Sequence, residues 1–362
     1  MKFTRCFFLV LLLIVPTMAI HAQDDVQSQL DSFIAEIAPK DGPAVSARIT
    51  IGDKTWAAAG GLVDTSQAEA ATPDGHFRIG SVSKTWLAVV VMQLVEKGTL
   101  SLDDPVTKWL PDDLTSKIAN ADQATIHQLV TMTSGIPEYL NNDFYTAVGK
   151  DTTHTWTAEE VLPYAYNLPA SFAPGEGYEY CNTNYILLQL IVEAATKKPM
   201  HELMRDQIFT PLKLENTYVQ VQEKGAPTVH SYEDFNGDSQ LDDVTNINDG
   251  AGLGDGALIS TTADLTAFYQ GVFAHHTILS EKSVQEMIDA GKNENEYGIG
   301  LEVVEGNNGL QVGHTGSVLG FTSAAYYLPD LDATVVILYG SQSLDNAHVD
   351  KLIEIAASAS QS

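Results

Sequence analysis

The chain has 362 residues and a formal net charge of −28 at pH 7, from 47 acidic side chains against 19 lysines and arginines. Such a negative charge repels polyanions, which argues against nucleic acid and anionic membrane surfaces as partners. Of two cysteines, Cys6 lies in a predicted leader, so Cys181 has no intramolecular disulfide partner in the mature protein.

The first 22 residues have the composition of a secretory signal peptide. Lys2 and Arg5 form a basic start, an apolar run extends from Phe7 to Ile20, and Ala22 is a suitable cleavage residue. The run is short for a membrane span, although an uncleaved anchor is the alternative. We therefore expect residues 1–22 to be removed and residues 23–362 to form one domain. The mature protein should be periplasmic or secreted, monomeric and free of the membrane.

The next segment predicts a helix, a hairpin and a second, buried helix. Apolar residues recur with helical spacing over Val26–Ile37. Residues 45–62 read as a hairpin with Gly52-Asp53 at the turn. The run Trp86–Met92 is apolar on all sides, which is typical of a buried helix, and Lys97-Gly98 is a suitable helix end.

A serine and a lysine stand three residues apart where this buried helix should begin, in the motif Ser81-Val82-Ser83-Lys84. On a helix this spacing places both side chains on one face. A serine hydroxyl needs a base to act as a nucleophile. Burial and the positive end of the helix dipole disfavour a charged lysine, so Lys84 could accept that proton. A solvent-exposed pair is the alternative, and the apolar helix argues against it.

Residues 105–235 are mostly helical by pattern and are interrupted by prolines, and they contain the motif Tyr180-Cys181-Asn182. Strands are then predicted at residues 298–304, 309–312, 323–328 and 334–339, followed by a helix at residues 347–357. The motif His314-Thr315-Gly316 lies among these strands. The order predicts an α+β fold, in which helices flank an antiparallel sheet and an all-helical lobe is inserted between early and late strands.

An acidic loop is a second candidate site. Asp234, Asn236, Asp238 and Asp242 place oxygen donors at alternating positions, as calcium loops do. However, the glycine is at the fourth position of the loop rather than the sixth, and the twelfth is not glutamate. A structural calcium ion and a flexible acidic loop without metal both remain open. No cofactor is required by the other motifs.

The three motifs, in this order, resemble those of the serine β-lactamase and penicillin-recognising family. The resemblance is strongest to the branch that holds class C β-lactamases, serine D-Ala-D-Ala carboxypeptidases, D-amino-acid peptidases and related esterases. Flanking segments match as well: Phe77-Arg78-Ile79-Gly80, Asp103-Asp104-Pro105-Val106, Thr133-Ser134-Gly135-Ile136-Pro137 and Asn182-Thr183-Asn184-Tyr185. The resemblance covers nearly the whole mature chain and implies the β-lactamase/transpeptidase fold.

The resemblance also implies roles for the motif residues. Ser81 would be acylated, with Lys84 or Tyr180 accepting its proton, and Asn182 would bind Lys84 and a substrate amide. His314, Thr315 and Gly316 would contact the substrate, with His314 where many relatives carry lysine. The backbone N–H groups of Ser81 and Ser317 would form the oxyanion hole, and such donors stabilise the charge that develops during acylation.

We therefore expect an exported serine hydrolase of the D-Ala-D-Ala carboxypeptidase or D-peptidase type. Its substrate would be a small molecule or peptide, such as a muropeptide, a D-amino-acid peptide, an ester or a β-lactam. Residues 270–313 contain no arginine that could hold a terminal carboxylate, and only Lys282 and Lys292 are cationic there. This departure weakens the carboxypeptidase assignment. An esterase, a class C-like β-lactamase and a ligand sensor without turnover are the alternatives.

Overall fold

The computed structural model describes residues 17–360, and its elements follow one another from an N-terminal helix to a C-terminal one. The α-helices are α1 (Thr17–Ile37), α2 (Ser83–Glu96), α3 (Asp112–Thr115), α4 (Ile126–Val130), α5 (Asn142–Lys150), α6 (Ala158–Val161), α7 (Asn182–Thr196), α8 (Met200–Met204), α9 (Thr210–Leu212), α10 (Thr262–Tyr269), α11 (Glu281–Asp289) and α12 (Asn346–Ser360). The strands are β1 (Val45–Ile51), β2 (Lys54–Gly60), β3 (Phe77–Arg78), β4 (Tyr218–Val219), β5 (Tyr232–Glu233), β6 (Asp242–Asp243), β7 (Leu258–Ser260), β8 (Glu302–Gly306), β9 (Gly309–Val318), β10 (Phe321–Leu328) and β11 (Ala333–Tyr339).

An antiparallel sheet joins the two ends of the chain. Its strand order is β2-β1-β11-β10-β9-β8, so the N-terminal hairpin pairs with the last strand. The register places Val45 opposite Tyr339 and His314 opposite Ala325. Smaller sheets are formed by β3, β7 and β4, and by the hairpin β5–β6. The predicted α+β class with an antiparallel sheet is therefore confirmed.

The main sheet is covered on both faces, because its strands alternate between two apolar clusters. On one face, Leu30 of α1 and Leu352 of α12 pack with Ile49 and Ile337 of the strands. The other cluster holds α2, α10 and the helices of the inserted lobe. Every side chain of α2 from Ser83 to Leu94 is buried. This burial agrees with the apolar character predicted for that helix.

Several element boundaries differ from those predicted. The first helix, the hairpin around Gly52-Asp53 and the closing helix are present. The strand expected from residue 298 begins only at Glu302, because Gly300 has a φ of +71° and turns the chain. Strand β9 continues to Val318, beyond the predicted end at residue 312, because it pairs with β10 as far as Phe321. The helical lobe ends near Leu212, since β4 and β5 follow.

Ser81 does not open α2, contrary to the prediction. It lies in a 3₁₀ turn, Gly80–Val82, and α2 begins two residues later at Ser83. The turn leads directly into the helix, so Ser81 and Lys84 still lie close together. Gly80 has a φ of +51°, a conformation that favours glycine, and this explains how the chain reverses from β3 into the turn.

The expected signal peptide lies mainly outside the described residues. Its last residues, 17–22, begin α1, and the leader prediction stays a prediction. Within residues 17–360, no helix is both long and apolar enough to cross a membrane.

Candidate active site

The three motifs converge on one cavity of about 900 Å³ between the sheet and the helical lobe. Ser81 comes from the turn before α2, Tyr180 from the segment before α7, Asn182 from the first residue of α7, and His314 from β9. Among the other lining residues are Arg78, Tyr139, Glu233, Asp249, Asp255, Glu302, Thr315, Gly316, Ser317 and Asp345. Residues more than 230 positions apart in sequence thus share one site.

Ser81 and Lys84 are in direct contact at the base of this cavity. The Lys84 Nζ atom lies 3.0 Å from Ser81 Oγ. It also donates to Asn182 Oδ1 and to the backbone oxygen of Asp255, each at 2.7 Å. Lys84 is fully buried, and burial lowers the pKa of its ammonium to about 8, although the carboxylates of Asp255 and Glu138 oppose the shift.

Glu138 fixes the orientation of the Asn182 amide. One carboxylate oxygen of Glu138 accepts from the Asn182 backbone N–H at 2.7 Å and from its Nδ2 at 2.9 Å. Because the amide nitrogen is held in this way, the Asn182 oxygen must face Lys84. The expected contact between Asn182 and Lys84 is therefore present and is oriented by a third residue.

The Tyr180 hydroxyl is buried and has no hydrogen-bond partner among the described residues. Burial raises the pKa of this phenol well above its usual range, and the nearby Ser81 hydroxyl opposes the rise. The Lys84 Nζ atom lies 5.0 Å from the centre of the Tyr180 ring. Tyr180 is therefore a protonated phenol whose donor is free for another group in the cavity.

His314 is buried inside β9 and is held on both ring nitrogens. Its Nε2 atom lies 3.1 Å from the Tyr297 hydroxyl, and its Nδ1 atom contacts the backbone oxygen of Thr315. Burial lowers the pKa of the imidazole, while the Glu302 carboxylate, 3.6 Å from Nδ1, opposes that shift. Since desolvation is the larger effect, His314 is mainly neutral at neutral pH.

Glycines bring the third motif against the nucleophile turn. A Cβ atom on Gly316 would lie 2.2 Å from the Ile79 carbonyl oxygen, and one on Gly80 would lie 2.9 Å from the Ser317 nitrogen. Neither position has room for a side chain. The backbone of Ser81 therefore runs beside that of Ser317, the two segments that the resemblance assigns to the oxyanion hole.

Three carboxylates of the site were not predicted from the sequence, because none of them lies within the three motifs. Glu138 directly follows the segment that ends at Pro137, Asp255 lies among glycines, and Glu302 begins β8. Glu302 accepts from the Thr315 backbone N–H at 3.2 Å and from its hydroxyl at 2.7 Å. An isolated charge in an apolar or glycine-rich segment was the only sequence signal for Asp255 and Glu302.

The acidic loop follows Glu233, which lines the cavity, and its oxygens bond within the loop. Asp234 accepts from the backbone N–H groups of Asp238 and Ser239, at 2.9 and 3.0 Å. Asn236 donates to Asp242 at 2.8 Å. Among the side chains that the structure describes, residues 25–360, no group of three or more acidic, histidine or cysteine residues is arranged to hold a metal ion. Calcium binding by this loop stays one of the two alternatives that the sequence leaves open.

Comparison with known proteins relates the whole folded region to one family. The Beta-lactamase family model matches residues 30–359. A penicillin-binding protein of Bacillus subtilis (strain 168) is 26% identical over 77% of this chain and 63% of its own. Esterase EstB of Burkholderia gladioli is 32% identical over 46% of this chain and 44% of its own. These matches span less than two thirds of either curated relative.

A solved structure resembles this chain over most of its length. The D-amino acid amidase from Ochrobactrum anthropi SV3, in complex with L-phenylalanine amide, superimposes with a TM-score of 0.80. The sequences are 26% identical, and the match covers 94% of this chain and 100% of the amidase. The fold expected from the sequence motifs is the fold of this enzyme.

Proposed function

Since the chain belongs to the Beta-lactamase family, we propose that it is a serine hydrolase that forms an acyl-enzyme on Ser81 and hydrolyses amide or ester bonds. The observation that carries the proposal is the 3.0 Å contact between Ser81 Oγ and the buried Lys84 Nζ, inside an accessible cavity. A serine nucleophile next to an amine of lowered pKa is the arrangement that such chemistry requires.

In the proposed reaction, Lys84 takes the Ser81 proton as the hydroxyl attacks the substrate carbonyl. The backbone N–H groups of Ser81 and Ser317 would stabilise the oxyanion. The Tyr180 phenol, which is protonated and unpartnered, would pass a proton to the leaving group. Water would then hydrolyse the acyl-enzyme by the same proton path in reverse.

The substrate class is the finer part of the proposal. A D-Ala-D-Ala carboxypeptidase must bind a terminal carboxylate, and a neutral His314 binds one only weakly. The guanidinium of Arg78 is already paired with Asp249 at 2.5 Å. We therefore expect small activated esters and amides without a free carboxylate to be hydrolysed faster than peptides that end in D-Ala-D-Ala, with β-lactams as slow substrates or inhibitors.

Hydrolysis of 4-nitrophenyl acetate by the wild type, Ser81→Ala and Ser358→Ala tests the proposal. Ser358 lies exposed on α12 and serves as the matched control. Activity should be lost in Ser81→Ala alone. Undiminished hydrolysis by Ser81→Ala would contradict the assignment. Covalent labelling by a penicillin without any turnover of esters or amides would instead favour the ligand sensor.

We also propose that the protein is exported, on the basis of the leader composition of residues 1–22. The mature protein should then begin at residue 23 and be recovered outside the cytoplasm. N-terminal sequencing of the native protein tests this. A native protein that retains its first 22 residues would contradict cleavage.

A further inference from the structure

The catalytic cavity carries more negative than positive charge. The lining side chains include the carboxylates of Glu233, Asp249, Asp255, Glu302 and Asp345. Arg78 is the one lysine or arginine among the described lining residues, and its guanidinium is already paired with Asp249. His314 is mainly neutral, because burial lowers its pKa. A substrate that enters this cavity therefore meets an excess of carboxylates.

These carboxylates are not equally free to bind a ligand. Glu302 bonds Thr315, and Glu233 accepts from the Gly320 backbone N–H at 2.9 Å. The side chain of Asp345 is 66% exposed at the cavity rim, where solvent screens it. Asp255, in contrast, is 7% exposed, and its carboxylate accepts one hydrogen bond from a side chain, the Tyr139 hydroxyl at 2.9 Å.

Asp255 also lies next to the nucleophile. Its backbone oxygen accepts from Lys84 Nζ at 2.7 Å, and Lys84 in turn contacts Ser81. Lys84 does not form an ion pair with the Asp255 carboxylate, because its three contacts go to Ser81, to Asn182 and to that backbone oxygen. The carboxylate is thus buried at the reaction centre, where the Lys84 ammonium attracts it through space but does not bond it. Burial of this kind is costly unless a positive group pairs with the charge.

We propose that Asp255 binds an ammonium group of the substrate, close to the carbonyl that Ser81 attacks. This inference rests on the proposed function, because it names the substrate class of the same site. The class is amides or esters that carry a free primary amine near the scissile bond. The positive charge of a bound ammonium also disfavours the protonated form of Lys84. The bound substrate therefore promotes the free-amine form of Lys84, which is the form that can accept the Ser81 proton.

A matched pair of substrates tests the proposal: D-alanine 4-nitroanilide and D-lactate 4-nitroanilide, in which a hydroxyl replaces the amine. Measurements at pH 7 keep Asp255 ionised, since burial raises its pKa to about 6, and keep most of the α-amine charged, since its reference pKa is about 7.7–8.0. The wild type should favour the amine in kcat/KM by at least roughly tenfold, as charge-assisted hydrogen bonds do.

The variant Asp255→Asn should bring that ratio close to one, whereas Asp289→Asn, an exposed control on α11, should keep the wild-type ratio. The ratio reports on ammonium binding alone, because general damage to the site slows both substrates. A wild type without preference for the amine, or a preference that persists in Asp255→Asn, would overturn the inference.

A second measurement needs no variant. D-alanine amide should inhibit hydrolysis of 4-nitrophenyl acetate more strongly than D-lactamide, and equal inhibition would overturn the inference even if Asp255→Asn failed to fold. The proposed function fails separately: hydrolysis of 4-nitrophenyl acetate that survives Ser81→Ala contradicts the function. Serine-dependent hydrolysis without amine preference contradicts only the role of Asp255.

Discussion

Lys84 is held so that its free amine would face the nucleophile. Two of its partners, Asn182 Oδ1 and the Asp255 carbonyl oxygen, can only accept hydrogen bonds. They occupy two N–H groups of the amine, and the third position is directed at Ser81 Oγ. In the neutral form this third position is a lone pair, which can accept the serine proton. Because its raised pKa keeps the Tyr180 phenol protonated, Tyr180 is not available to accept the serine proton.

The pH dependence of acylation should follow from this arrangement. The pKa of Lys84 is lowered to about 8, and only the deprotonated amine is a base. The value of kcat/KM for a neutral ester should therefore rise with pH and level off above about pH 8. A profile that instead falls through this range would show that the ammonium form is required, and that Tyr180 takes the first proton.

Glu138 should act as a positioning residue through Asn182. In Glu138→Gln the new amide can no longer accept both Asn182 donors on one charged oxygen, so the Asn182 amide can turn its nitrogen towards Lys84. We expect kcat to fall roughly tenfold to a hundredfold, the range of a lost charge-assisted hydrogen bond. The midpoint of the pH profile should also fall, because the Glu138 carboxylate raises the pKa of Lys84.

Glu159→Gln, on the exposed surface of α6, is the matched control for this change of charge. It should leave both kcat and the midpoint as in the wild type. Unchanged kinetics in Glu138→Gln would show that Glu138 does not position Asn182.

Site residues that lie within one short motif were predictable from the sequence. Site residues that distant segments bring to the cavity were not. Ser81 and Lys84 are three residues apart, so their local spacing predicts the contact, and the 3₁₀ turn that leads into α2 preserves it. Asp255 reaches Lys84 from 171 positions away. Its place depends on how the segment before β7 packs against α2, which one sequence does not reveal.

At the scale of elements, β9 and the nucleophile turn are packed together without room for a side chain at Gly316. In Gly316→Ala the added Cβ would lie 2.2 Å from Ile79 O and 2.4 Å from Ser323 Oγ. Strand β9 would have to move away from Ser81. We expect a lower melting temperature and a large loss of kcat.

Gly149→Ala is the control for this substitution, because a Cβ atom there meets nothing within 4 Å. It lies in α5, where alanine is the better helix former. The control should be neutral or slightly stabilising. A fully active Gly316→Ala protein would contradict the close packing of β9 against the turn.

The β5–β6 hairpin should be stable without calcium, because the Asp234 oxygens already accept N–H groups of the same loop. We therefore expect EDTA to leave the melting temperature unchanged. EDTA would instead lower the melting temperature if the loop binds calcium. Added Ca²⁺ would then restore the melting temperature, and the Asp238→Asn protein would not respond to EDTA.

Element boundaries were the least predictable part of the fold. The sequence pattern placed β9 at residues 309–312, whereas pairing with β10 extends it through the third motif to Val318. Polar and small residues such as Thr315 and Gly316 weaken the apolar alternation there. The strand persists because its neighbours supply the hydrogen bonds, and this cause is tertiary rather than local.

At the scale of the whole molecule, the order of elements was enough to predict the architecture. Early strands, a helical lobe and late strands can form one antiparallel sheet only if the two ends of the chain meet, and β1 does pair with β11. The site lies where this sheet meets the inserted lobe. Both the overall charge of −28 and the carboxylates of the cavity disfavour anionic substrates.

Ser81 should be the residue that becomes acylated, and peptide mapping after reaction with a fluorophosphonate would identify it. The probe reacts with serine nucleophiles that a nearby base activates. We predict a single modification, on the peptide that contains Ser81, and no modification of the folded Ser81→Ala protein. A label on another residue, or equal labelling of Ser81→Ala, would show that Ser81 is not the nucleophile.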